Sequence, residues 1–264
     1  MTQWYVELIC KESKLLAFLS SVFQEPSCTV IARETDFYTS NLGFEPELSA
    51  EKTSGYFLLS TDFESCTEVI EVLQRAENIL PLLNGIMKLK YAGCLTAVQL
   101  GAVYRPDTVG RMIQQRRIVV TLTRYPKQRT LQSANTRPPT LVDLWQVAWN
   151  NREVAEAMHH FANQRNWFNL FKVYEVIEDK VGKETLNKWT QGRAEDFTYS
   201  ANNASVSGYD ARHFSARFKK PSPKRTPMTL NDATYFIAAL LSRWIQTNYL
   251  KDGSGGEENP RDDL

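Results

Sequence analysis

The sequence predicts an α+β protein of two domains, a mixed α+β sheet domain followed by an all-helical bundle. Short aromatic and β-branched runs bounded by turn residues fill the first part of the chain. A polar, proline-containing stretch at 125–140 then carries no hydrophobic period. Beyond it, apolar residues recur at steps of three and four, the period of a helix with one buried face. At 264 residues, two cores are favoured over one, because a single core becomes inefficient toward this length. The expected organisation is a sheet domain at 1–125, a linker at 126–140, a helical domain at 141–252 and a disordered tail at 253–264.

Taken in order, residues 4–10 (WYVELIC) mix aromatic and β-branched types and predict a strand. At 14–23, Leu15, Leu16, Phe18, Leu19, Val22 and Phe23 fall at helical spacing, and Pro26 ends the run. Two further strands at 29–35 and 55–60 give a β-α-β-β opening. Between 64 and 90, Val69, Leu73, Ala76, Leu80, Leu83 and Met87 define a long amphipathic helix. Pro81 lies inside it and is expected to kink or split it, since proline removes a backbone donor. Strands at 95–104 and 116–123, joined through Pro106, Asp107 and Gly110, complete a sheet of about five strands with helices on one face.

In the second domain Thr140 and Asp143 form a helix start, with Leu141, Leu144, Val147 and Ala148 as the buried stripe. Val154, Met158 and Phe161 mark a second helix, and Trp167, Leu170, Phe171, Tyr174 and Ile177 a third that stops near Gly182. A short segment at 186–189 precedes another at 195–200. A last helix is capped by Thr229, buries Leu230, Ala233, Ile237, Leu240, Leu241 and Trp244, and closes by Gly253. The tail, GSGGEENPRDDL, has too little apolar surface to fold.

Composition excludes several classes. Forty-two per cent hydrophobic and 23% charged residues describe an ordinary globular chain, and no apolar run reaches the length of a membrane span. A net charge of +1 means that any contact with a polyanion must come from a local patch. The four cysteines (Cys10, Cys28, Cys66, Cys94) are widely spaced and the start lacks a basic leader before an apolar core, so the sequence predicts a cytoplasmic protein with reduced thiols. Three histidines without H-E-x-x-H, and cysteines without zinc-ligand spacing, call for no metal. Neither phosphate-cradling glycine motif is present, and no cofactor is expected.

The chemistry concentrates between Gly208 and Arg225. Arg212 and His213 are adjacent, and six cations (Arg212, Arg217, Lys219, Lys220, Lys224, Arg225) follow one another without an acid. A loop rich in Asn, Ser and Gly, containing Asn203, leads into them. Metal-free cleavage of RNA needs cations for phosphate, an aromatic ring for a base and a histidine that titrates near neutrality. Arg212 and His213 are therefore the candidate catalytic pair. Arg217, Lys219, Lys220, Lys224, Arg225 and Asn203 are the candidate nucleic-acid contacts. The competing reading makes Arg212 a structural partner of Glu175 or Glu178 and the lysines a solvated surface. A second pair, Arg152 and His159, shares one helix seven residues apart and reads best as a solvated face.

The run WFNLFKVYEVIEDKVG, then FTYSANNASVSGYDARHF, then PMTLNDATYFIAALLSRWI resembles the C-terminal part of an uncharacterised family of bacterial and phage proteins. More distantly it is similar to the helical HEPN domains of prokaryotic defence and toxin systems. The resemblance covers residues 140–250 or so. It implies a helical bundle, frequently a homodimer, and metal-independent endoribonuclease activity from an Arg and a His. In HEPN domains four to six residues separate that pair; here Arg212 and His213 are adjacent, while Arg152 and His159 have the wider gap. The resemblance is equally compatible with a non-cleaving relative that binds a protein or senses a ligand.

Overall fold

A computed structural model of the chain describes residues 3–24, 29–39, 51–91, 97–106, 112–116, 139–208, 211–212 and 225–250. It divides into two compact units, Met1–Gln132 with Met158–Gln164, and Ser133–Ala157 with Arg165–Leu264. The first holds an antiparallel sheet and the second is helical, the α+β architecture that the hydrophobic periods predict.

In the first unit the order is β1 (Tyr5–Ile9), α1 (Ser13–Val22), β2 (Thr29–Thr39), β3 (Glu51–Ser60), α2 (Val69–Lys90), β4 (Gln99–Pro106) and β5 (Met112–Arg116). The sheet runs β2-β3-β1-β4-β5 with every neighbouring pair antiparallel. Its first six elements have the connectivity of the split β-α-β arrangement, to which β5 adds a strand beside β4. Alternation does the sorting on β1: Val6 and Leu8 are buried and stand opposite Leu58, Val103 and Leu100. Tyr5, Phe57 and Tyr104 form edge-to-face ring pairs at 6.0 and 5.6 Å, packed with Ala102 and Leu59. The edge strands β2 and β5 approach each other, so the sheet curls.

The structure corrects three local expectations. Of the two outcomes expected at Pro81, the split does not occur: helix α2 runs through it as one element. Ile79, Leu83, Ile86 and Met87 are buried on either side, and that packing outweighs the missing backbone donor. The same helix starts at Val69 rather than near Glu64, because Thr61–Phe63 form a short 3-10 turn and Glu68 and Glu71 cap the start reciprocally. Backbone N–H groups of Thr67 and Glu68 donate to Glu71 at 2.9 and 3.3 Å and hold its carboxyl below the usual range. Third, β4 begins at Gln99, where the sequence predicts a strand from 95, and β5 already occupies Met112–Arg116, ahead of the strand predicted from 116; residues 117–123 lie outside those described. Val98, just before β4, pairs with the Asn84 side-chain amide through two bonds of 2.9 Å, a connection from helix to strand that no periodicity signals.

Two close approaches fix this unit. Register shifts between Val6 and Leu8 on β1, and Glu7 Oε2 accepts from the Ala102 amide at 2.9 Å. A side chain on Gly101 would meet that carboxylate at 2.5 Å. Gly85 on α2 faces the Met158 carbonyl near the end of α4 (Arg152–Ala162), and a Cβ there would lie 2.5 Å from the oxygen. Lys88 Nζ, one turn on, donates to the carbonyls of Phe161 and Asn163 at 2.6 and 3.3 Å and so satisfies the end of that helix.

The second unit comprises α3 (Leu141–Asn150), the start of α4, α5 (Trp167–Val181), α6 (Lys183–Thr190), α7 (Arg193–Asn202), α8 (Ala204–Ser207) and α9 (Leu230–Tyr249). Thr140 with Asp143, and Thr229 with Asp232, form reciprocal caps as the sequence predicts. Gly182, at φ 77°, closes α5. Helix α9 stops at Tyr249, ahead of Gly253, which lies outside the described residues. Phe197 of α7 is wholly buried, with the rings of Trp167, Phe171, Tyr174 and Phe236 at 6.1, 5.9, 5.4 and 5.5 Å. Burial of a ring this size contributes about 1.5–3 kcal/mol, and here it joins α5, α7 and α9.

Alanine at Gly85 gives a sharp check on the α2 packing. In an exposed helix the change stabilises by about 1 kcal/mol. Here the fixed backbone oxygen of Met158 reverses the sign, and Gly85→Ala is expected to lose about 1–3 kcal/mol in urea unfolding.

Candidate functional site

The start of the basic segment is built on α5. Gly208, at φ 64°, ends α8, and the Arg212 amide then donates to the Ala201 carbonyl at 2.9 Å, which fixes its backbone. The Arg212 guanidinium lies with Cζ 3.9 Å from the centre of the Phe171 ring, and Nη2 donates to Glu175 Oε1 at 2.5 Å. The other oxygen of Glu175 accepts from Lys172 Nζ at 2.9 Å. One carboxylate thus bridges two cations, which leaves the group with a net positive charge, and a ring supports one of them. The Arg212 side chain is 24% exposed. This is the structural partnership with Glu175 that the sequence offers as the competing reading.

Beside it, Tyr174 donates its hydroxyl to Glu178 Oε1 at 3.2 Å. Burial first, and then the Glu178 charge, push that hydroxyl well above the ordinary phenol range, so it stays protonated. Tyr174 is therefore a structural hydrogen-bond donor and not a proton-transfer group near neutrality.

The end of the segment is built on α7. Arg225 Nη1 pairs with Glu195 Oε2, and the Thr226 amide donates to Asp196 Oδ1 at 3.1 Å. The Met228 amide donates to Ser200 Oγ at 2.8 Å, and that buried hydroxyl donates in turn to the Asp196 carbonyl at 2.7 Å. Sequence reasoning misses Glu195, Asp196 and Ser200, because two acids in the first turn of a helix look like ordinary dipole partners.

Of the sequence-predicted site residues, Arg212 and Arg225 are thus each held by a carboxylate, on different helices. Asn203 is 4% exposed, and its Oδ1 accepts from the amide and hydroxyl of Ser205 at 3.0 and 2.9 Å. It caps α8, and its burial removes it from the set of nucleic-acid contacts. His213, Arg217, Lys219, Lys220 and Lys224 lie outside the described residues. Arg152 and His159 are exposed on α4, and the His159 ring meets that of His160 at 6.1 Å, edge to face.

A sheet of this connectivity can stack bases on the rings of its open face. Phe57 and Tyr104 are 0% and 5% exposed, so those rings serve as core and not as a stacking platform. Among the described residues no three His, Cys, Asp or Glu side chains gather as a metal ion would require, and no helix is long and apolar enough to cross a membrane. Set against known proteins, the chain matches no family profile, no curated protein and no solved structure.

Arg212 tests the structural assignment directly. Arg212→Ala removes the ion pair and the ring contact together and is expected to lower stability by about 1–2 kcal/mol after allowance for partial exposure. Arg212→Lys keeps the charge and recovers part of that loss. Unfolding unchanged in both variants would release Arg212 from this role.

Proposed function

We propose that the helical unit binds RNA through the basic segment 212–225 and holds it without requiring cleavage. The observation that carries this reading is the commitment of the two terminal arginines: Arg212 is held by Glu175 on α5 and Arg225 by Glu195 on α7. Both ends of the segment are therefore anchored on one helical frame. Two of its six cations neutralise protein carboxylates, and the other four, Arg217, Lys219, Lys220 and Lys224, supply the surplus charge for phosphate.

The same observation weighs against catalysis by Arg212 and His213. An arginine that stabilises a scissile phosphate must offer its N–H groups to that phosphate. Here one edge of the guanidinium and part of its charge are already committed to Glu175, which Lys172 also holds, so Arg212 offers a phosphate less than an unpaired arginine would. A non-cleaving, HEPN-like RNA binder of prokaryotic defence type is the reading that fits best.

Fluorescence anisotropy with a labelled single-stranded RNA measures the binding. Lys219→Glu with Lys220→Glu is expected to weaken it at least tenfold or so and to flatten its dependence on salt, since single strands contribute a slope of about 0.7 per phosphate contact. A wild-type affinity that does not change with salt defeats the proposal. Incubation of RNA in EDTA with wild type and with His213→Ala separates binding from cleavage. The expected result is intact RNA with both, and cleavage lost only in His213→Ala would restore the catalytic pair.

A further inference from the structure

Two exposed arginines of the helical unit outside the basic segment, Arg193 and Arg243, rest on aromatic rings, and neither pairs with a carboxylate among the described residues. Arg193, the first residue of α7, lies with Cζ 5.5 Å from the centre of the Phe236 ring on α9. Arg243, seven residues after Phe236 on α9, lies 5.2 Å over the Trp189 ring of α6 and donates to the Trp189 carbonyl at 3.2 Å. Acids are near in the chain, but each is engaged elsewhere. Glu184 pairs with Lys188 at 3.8 Å, Glu195 with Arg225, Asp196 accepts from Thr226, and Asp232 closes the cap of α9. Between Phe236 and Arg243 the helix has no acid at all.

A guanidinium laid on a ring is positioned by the ring while its N–H edge stays available for a bidentate anion. Phe236 and Arg243 lie about 10 Å apart along α9, at about 1.5 Å per residue. That is too wide for one phosphate group to bridge, so the two arginines would meet different phosphates of one strand. We infer that Arg193 and Arg243, set on the aromatic rings of Phe236 and Trp189, form a second contact for the phosphate backbone of single-stranded RNA. The inference rests on the RNA-binding reading and gives it a contact distinct from the segment 212–225. Neither arginine stands out in the sequence, since each is an isolated cation, and only the folded helices place rings beneath both.

The experiment uses the full chain, a short fluorescein-labelled single-stranded RNA and a salt titration. Arg193→Gln with Arg243→Gln is expected to weaken binding about tenfold or more. It should also reduce the slope of log affinity against log salt by about 1.4, the share of two phosphate contacts. Arg193→Lys with Arg243→Lys should keep the slope and lose affinity, because charge remains and the planar fork does not. Circular dichroism checks folding; should the double variant unfold, each single Gln variant is read instead, with about half the loss of slope. If wild type binds no RNA, this inference falls together with the reading beneath it. If wild type binds, the Lys219 and Lys220 variant is weakened, and the arginine variants match wild type in affinity and slope, the second contact alone is overturned.

Discussion

The helical unit depends on the burial of one ring. Phe197 is wholly enclosed and meets aromatic partners from α5 and α9, so three helices are held to one another by a single apolar junction. Everything polar on that frame inherits its position. Glu175 lies one turn beyond Phe171, and Glu195 and Asp196 immediately precede Phe197. The carboxylates that hold Arg212, Arg225 and Thr226 are therefore placed by the same packing that makes the core. The ring of Phe171 has two uses, against Phe197 and beneath the Arg212 guanidinium. Phe236 likewise packs against Phe197 and supports Arg193.

Charge in this protein is sorted by whether an acid is within reach, not by abundance. The chain is close to neutral, and two arginines at the ends of its most basic stretch are neutralised locally. Two others, on α7 and α9, rest on rings while the neighbouring acids are occupied. An arginine over an aromatic ring is only partly desolvated and keeps most of its donors, whereas one bound to a carboxylate has given up a charge as well as a donor. That difference separates a structural cation from one suited to a polyanion.

The sheet unit shows a related division between local and distant causes. Glu7 receives the Ala102 amide at an irregularity in the ladder, and Gly101 leaves room for that carboxylate. Asn84, from a helix, supplies both hydrogen bonds that Val98 would otherwise seek from a strand. A half-buried acid and an asparagine in a helix look like departures from pattern in the sequence. In the fold each satisfies backbone groups that the regular ladder leaves over.

Local physics made much of this protein legible from its residues alone. The α+β class, the β-α-β-β opening, the caps at Thr140 and Thr229 and the stop at Gly182 follow from periodicity and from side chains acting on backbone a few positions away. The competing role of Arg212 as a partner of Glu175 was also within reach, since the sequence offers few acids at the right helical positions. What tertiary structure decided was the continuity of α2 through Pro81, the placement of β5, the use of Asn203 as a buried cap and the parking of Arg193 and Arg243 on rings. Those outcomes depend on which surfaces meet across tens or hundreds of residues. Burial and charge pairing act through space, and a sequence records only neighbours along the chain.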